Sequence, residues 1–259
     1  MRTRALSPRL WIVAAATATV LVLAGCGSSS GPPAPTSGVG TVIDHAIPAS
    51  ISDIPLREPD GHTTTLGDLR GKTVVVSDSM TLCSEDCPLD TANVVAAARA
   101  ADAAGLTGRV VFLTVTVDPA RDTPRQLRAY RRLYDPHHQL PNWVLLTGTS
   151  ASITRLWTYL GVFWHKVPEG NPPDRNWLTG KPLTYDVAHA DEVLMFDPSG
   201  HERYVISGHA NVPVSGNVPT TMRHYLNSLG DRHLFRPGAA TWTPDDVLAG
   251  VSWLTGHRA

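Results

Sequence analysis

The residues best equipped for chemistry are two thiols four positions apart, Cys83 and Cys87, in the run Thr81-Leu82-Cys83-Ser84-Glu85-Asp86-Cys87-Pro88. Such a pair can close a disulfide, exchange electrons with another dithiol, or hold a soft metal ion through two thiolates. As a staple it would do little. On the chain-entropy model a closed loop of about five residues contributes only about 2 kcal/mol, against about 4.7 kcal/mol for a hundred-residue loop. A structural disulfide would be badly placed here, which turns attention to chemistry.

The flanking sequence says how the thiols are held. Upstream, Gly71-Lys72 leads into Thr73-Val74-Val75-Val76, a β-branched run of the kind found in buried strands. Downstream, Pro88 disfavours helical dihedrals at Cys87 and is itself suited to the first turn of a helix, so a helix is expected from Pro88 with Cys87 near its N-cap. Leu89, Val94, Val95, Ala98 and Ala101 recur at roughly helical spacing, and Gly105 is a plausible stop. The cysteines therefore occupy a strand-to-helix loop. The helix N-terminus favours a thiolate, whereas Glu85 and Asp86 oppose it, leaving the sign of the net shift open.

The rest of the chain supplies a scaffold. Pro59-Asp60-Gly61-His62 is a turn signal within Ile54–Leu69 and reads as an early β-hairpin. Arg109–Val117 (RVVFLTVTV) reads as a strand, followed by a helix capped by Asp122 or Thr123 with Pro124 in its first turn. Capping explains that loop well, and direct chemistry at Asp118 or Arg121 is the secondary reading. Trp143–Leu146 is a third strand, and Ser150–Leu160 a third helix ended by Gly161. Successive β-α units imply a parallel sheet covered by helices. From Trp164 to Thr184 the chain is dense in Pro, Gly and Asn, as in a functional flap or surface excursion. Glu192–Phe196 and Glu202–Ile206 then form an antiparallel hairpin about Asp197-Pro198-Ser199-Gly200, and a closing helix runs over about 218–229, stopped by Gly230.

The N-terminus reads as a targeting segment: Arg2, Arg4 and Arg9 precede the nearly all-apolar stretch Trp11–Ala24. That stretch is short for a membrane span, which needs about 20 apolar residues. Leu23-Ala24-Gly25-Cys26 resembles the bacterial lipobox, which implies removal of residues 1–25 and lipidation of Cys26. The absence of adjacent arginines favours general secretion over the twin-arginine route. Residues 26–45 are expected to be a flexible tether, because Gly27–Gly40 (GSSSGPPAPTSGVG) is rich in Ser, Gly and Pro. This places the folded domain, expected over 46–230, on the extracytoplasmic face of the cell membrane, with 231–259 as a C-terminal extension containing a short helix. Outside the cytoplasm thiols meet an oxidising environment. The formal net charge of -1 speaks against a nucleic-acid partner.

The order of β-α pair, parallel crossovers, late antiparallel hairpin and closing helix is that of an α/β, thioredoxin-like fold, a central mixed sheet flanked by helices, here with an N-terminal β-hairpin. The pieces Leu69-Arg70-Gly71-Lys72, Cys83-x-x-x-Cys87-Pro88, Val117-Asp118-Pro119-Ala120-Arg121-Asp122-Thr123-Pro124 and Tyr185-Asp186-Val187-Ala188-His189 span about residues 54–229. Together they resemble the Sco/SenC family of copper-binding cytochrome oxidase assembly proteins. The resemblance implies that Cys83, Cys87 and His189 ligate copper, and that copper is delivered to the CuA centre of cytochrome c oxidase. Two thiolates and an imidazole suit copper, with thiolate softness favouring Cu(I) and a further nitrogen or oxygen ligand accommodating Cu(II); three such ligands leave zinc admissible. Ser77-Asp78-Ser79-Met80-Thr81 stands where members usually carry a Phe-Gly-Tyr-Thr-like run, and Ala190 where Ser is common. Met80 is a candidate accessory ligand.

Two other functions fit the thiol pair. A thiol-disulfide oxidoreductase keeping the oxidase's CuA cysteines reduced would need Cys83 and Cys87 as a redox-active pair but not His189. A peroxidase of similar fold is disfavoured, because Met80-Thr81-Leu82-Cys83 falls one residue short of Thr-x-x-Cys. Copper binding and redox chemistry are compatible, since a Cys83–Cys87 disulfide would remove both thiolate ligands.

Overall fold

Runs of β-branched and aromatic residues build the centre of the protein. The computed structural model describes residues 31–36, 38–213, 217–238 and 241–259; the expected leader over 1–25 and Cys26 lie outside the described residues. In chain order the elements are β1 (Gly40–Ala46), α1 (Ala49–Ser52), β2 (Leu56–Arg57), β3 (Thr63–Thr64), β4 (Thr73–Ser79), α2 (Cys87–Ala103), β5 (Val110–Thr116), α3 (Pro124–Tyr134), β6 (Trp143–Leu146) and α4 (Ser150–Leu160). There follow β7 (Trp164–Val167), β8 (Asp186–His189), β9 (Glu192–Phe196), β10 (His201–Ser207), α5 (Thr220–Tyr225), α6 (Ser228–Phe235) and α7 (Pro244–Thr255).

Six strands form one mixed sheet in the order β1-β10-β9-β4-β5-β6, with β4, β5 and β6 parallel and β1, β10 and β9 antiparallel to their neighbours. This is the thioredoxin-like architecture expected from the sequence, and β2 with β3 is the small N-terminal hairpin. Every residue of β4 and β5 is buried, and their side chains alternate between two cores. Val75, Val110 and Phe112 face a cluster shared with α2, α3 and α7, whereas Val74, Val76, Val111, Leu113 and Val115 face a cluster shared with α4. Burial on both faces explains why these strands read as continuous apolar runs.

The helices mostly begin and end where their capping residues predict. Thr123 accepts a hydrogen bond from the Gln126 amide at the start of α3, and Thr149 does the same for Ser152 in α4. Asp122 is turned elsewhere, as described below. Helix α2 starts at Cys87, one residue ahead of the expected Pro88, and Gly105 follows its end with φ 76°.

Four elements differ from expectation. Strand β1 occupies Gly40–Ala46 and pairs with β10, so the sheet begins inside the stretch read as tether. Most of β1 is exposed, and an edge strand of this kind leaves little apolar alternation to detect. Trp164–Val167, read as the start of a loop, is β7, paired with β8. The closing helix is two helices broken at Leu226-Asn227: the Asn227 side chain caps α6 through the amides of Leu229 and Gly230, so Gly230 lies within a helix rather than ending one. Finally, α7 is no appendage. Val247 and Val251 are fully buried in the core, and Gly250 lets α7 approach β9 so closely that a Cβ there would stand 2.4 Å from Met195 Sδ.

Candidate metal centre

The sheet brings Cys83, Cys87 and His189 together although the histidine is about a hundred residues away in sequence. Strand β9 runs antiparallel to β4, with Ser77 opposite Val193, so the start of β9 lies beside the end of β4. The cysteine loop leaves the end of β4, and His189 closes β8 just ahead of β9. The ligand atoms of the three residues lie within 4.8 Å of one another, and His189 Nε2 is 3.1 Å from Cys87 Sγ. Both thiols are free and buried, Cys83 at 7% exposure and Cys87 at 1%.

Asp78, the next-to-last residue of β4, fixes the imidazole. Its Oδ2 is 2.6 Å from His189 Nδ1 and its Oδ1 accepts from the Glu192 amide at 2.7 Å. The Ala190 carbonyl is the other neighbour of Nδ1, also at 2.6 Å. Because both neighbours are acceptors, Nδ1 carries the proton, which in the neutral ring leaves the Nε2 lone pair facing the thiols. A carboxylate behind an imidazole in this way orients it and raises its basicity as a ligand. Asp78 belongs to the run that departs from the family pattern, and a carboxylate in a buried strand was the available sign that it has a partner.

The electrostatics match this packing. The Cys83 thiol is pushed well above its ordinary range by the adjoining Cys87 thiol and by burial, and burial pushes Cys87 up to about 11. Both shifts are upward, the direction in which Glu85 and Asp86 also push, against the helix N-terminus. For His189, burial favours the neutral ring, but Asp78 and the Cys83 sulfur more than offset it and raise the pKa well above the usual value.

The turn between the cysteines is held from several sides. Thr81 donates its hydroxyl and its amide to the buried Asp122, which also accepts from the Thr116 hydroxyl. Burial, only partly offset by these hydroxyls, pushes Asp122 up to about 6. Trp177 Nε1 donates to the Thr81 carbonyl, Tyr225 to that of Leu82, and the Asn227 amide to that of Ser84. The Ser84 hydroxyl donates to Asp174, and the Glu85 amide to Cys83 Sγ at 3.4 Å. Gly230 packs so tightly on this turn that a Cβ would sit 2.8 Å from the Ser84 carbonyl oxygen and 2.9 Å from that of Glu85. The Pro-rich excursion and the α5–α6 pair therefore brace the loop, a role that no local sequence signal announced.

Other candidates fall outside the cluster. Met80 Sδ faces the Arg121 guanidinium at 3.7 Å. Arg121 also pairs with Asp118 and the Tyr185 carbonyl, and Asp118 accepts from the Tyr185 hydroxyl, so this pair braces the strand leading to His189. The Thr81 hydroxyl is committed to Asp122. Among the described residues no helix is long and apolar enough to cross a membrane.

A family model described as SCO1/SenC matches residues 51–215. A solved protein of Aquifex aeolicus VF5 is 22% identical, with 64% of this chain and 84% of that chain covered and a TM-score of 0.50. A SCO1/SenC family lipoprotein from Bacillus anthracis str. Ames is 22% identical over 74% of this chain and 97% of its own, with a TM-score of 0.49. ScoI of Arabidopsis thaliana, solved with copper bound, is 20% identical over 68% and 90%, with a TM-score of 0.46. No curated protein matches the chain. At such identities the structural likeness speaks for the fold alone, and it rests on the Aquifex protein.

Proposed function

The chain belongs to the SCO1/SenC family, and from that premise we propose that it is a membrane-tethered copper chaperone. Reduced Cys83 and Cys87 with His189 bind one copper ion, and the protein delivers it to the CuA centre of cytochrome c oxidase during assembly. The observation that carries this reading is the buried convergence of two thiols on an imidazole whose other nitrogen is tied to Asp78. Two sulfurs and one nitrogen make a soft donor set suited to Cu(I), with room for a further ligand when Cu(II) is held.

The residues divide the work. Asp78 keeps the His189 ring turned toward the thiols, and Asp122, Trp177, Tyr225 and Asn227 hold the turn that spaces Cys83 from Cys87. The adjoining Cys87 thiol and burial raise the Cys83 pKa and burial raises that of Cys87, so without the ion the site favours the thiol forms. Copper arrives as cargo; its positive charge offsets the cost of two buried thiolates, and their protons leave as it binds.

The competing role, a thiol-disulfide oxidoreductase serving the oxidase's CuA cysteines, calls for an accessible thiol of low pKa. Burial of both thiols and the His189 imidazole beside Cys87, which disulfide exchange does not need, favour the chaperone. In cells, His189→Ala is expected to leave oxidase lacking CuA while disulfide exchange by the purified variant is normal. Intact CuA in that strain would overturn the chaperone role. Anchoring through Cys26 predicts that Cys26→Ala moves the protein out of the membrane fraction.

A further inference from the structure

A second group of metal-ligating side chains adjoins the cysteine turn and plays no part in the function proposed above. Asp86, immediately before Cys87, is joined by His209, which follows β10, and His233 on α6. The ligand atoms of these three residues lie within 4.8 Å of one another. His233 Nδ1 is 2.6 Å from Asp86 Oδ1, and the rings of His209 and His233 lie face to face, 4.1 Å between centroids and 7° from parallel. His209 Nε2 is buried and has no hydrogen-bond partner among the described residues.

We propose that Asp86, His209 and His233 form a second metal site, for a borderline divalent cation, Cu(II) ahead of Zn(II). Two imidazole nitrogens and one carboxylate oxygen, with no sulfur, suit such ions, and the Irving–Williams order places Cu(II) first among them. The unpartnered nitrogen of His209 is the open donor. At metal–nitrogen bonds of about 2.0–2.1 Å, two donors on one ion stand at most about 4.2 Å apart. The cluster therefore closes by small rotations: the stacked rings tilt until their in-plane lone pairs converge, and the Asp86–His233 hydrogen bond is exchanged for bonds to the ion. Asp86 and His233 are exposed enough for this, at 14% and 22% of their side-chain surfaces.

The site does not depend on the chaperone reading, so it is tested with the first site removed. The whole chain carrying Cys83→Ser, Cys87→Ser and His189→Ala is titrated with Cu(II) and followed by electron paramagnetic resonance, with circular dichroism checking the fold. One tightly held Cu(II) per chain with coupling to two nitrogens is expected, and adding His209→Gln or His233→Gln should abolish it. Absence of bound Cu(II) in the folded background, or binding unchanged by His209→Gln, overturns the proposal. Should the background fail to fold, Zn(II) stoichiometry on the reduced, otherwise unaltered chain decides. His209→Gln should hold one ion fewer than the unsubstituted protein, and equal stoichiometry overturns the second site.

Discussion

Two triads share one turn of the chain, and they use the same hydrogen bond in different surroundings. In both, an aspartate oxygen lies 2.6 Å from a histidine Nδ1: Asp78 with His189, and Asp86 with His233. The inner pair is 0% and 5% exposed and faces two buried thiols; the outer pair is 14% and 22% exposed and faces a second imidazole. Burial decides what each can become. Inside, the carboxylate is shielded from solvent, the imidazole is fixed, and a soft ion is needed to stabilise the thiolates. Outside, the carboxylate can trade its hydrogen bond for a metal, and the donor set is harder.

Removal of a sulfur should have the largest effect on the two triads. Cys87→Ala should abolish Cu(I) binding at the inner triad while leaving divalent-ion binding at Asp86, His209 and His233, as read by copper stoichiometry with each oxidation state. Loss of both together would show that the turn is a single site.

The next largest effect concerns pH. Asp122, which holds Thr81 at the entrance to the turn, has its folded pKa raised from 3.8 to about 6. Its protonated form is the one the fold prefers, so its stabilising contribution is complete below about pH 4 and is lost as pH rises to about 6. The loss is on the order of 3 kcal/mol at about 1.4 kcal/mol per pH unit. Urea unfolding across that range should show the slope in the wild type, and Asp122→Asn should flatten it.

The contrast between the two dyads is sharpened by Asp78→Asn and Asp86→Asn. The first should weaken inner-site copper affinity about 10- to 100-fold, the usual cost of losing an orienting carboxylate. The second should leave Cu(I) affinity unchanged, because the Asp86 carboxylate bonds to His233 rather than to an inner ligand; competition with a Cu(I) chelator reads both. The smallest effect is on packing. Gly230→Ala places a methyl group against the Ser84 and Glu85 carbonyls, and relief of that contact should cost about 1–3 kcal/mol in thermal unfolding.

The inner triad was legible in the sequence and the outer one was not, for a physical reason. Val74-Val75-Val76, the two cysteines and Pro88 announce a strand, a loop and a helix within fifteen or so consecutive residues, and local rules suffice to read them. His189 carried little signal of its own among eleven histidines and was singled out by the motif around it. Asp78 lay beyond the expected strand, in the run that departs from the family pattern, and its partner is supplied by the antiparallel pairing of β9 with β4. His209 and His233 meet Asp86 only through the packing of α6 and the loop after β10, and no spacing rule links them. The same limit applies to α7, expected only as a short helix in the C-terminal extension, whose docking through Gly250 against β9 had no local signal. Strand β1 was missed because an exposed edge strand lacks the alternation that marks a half-buried one.

The central claim, that His189 completes a three-ligand copper site with Cys83 and Cys87, is tested most directly by metal titration of the reduced whole chain and its His189→Ala variant. Cu(I) affinity is read by chelator competition, and Cu(II) by absorption in the thiolate-to-copper charge-transfer region. The account predicts one inner copper ion per chain in the wild type, and in the variant a large loss of affinity with an altered charge-transfer band. Unchanged affinity and an unchanged band in His189→Ala would contradict it.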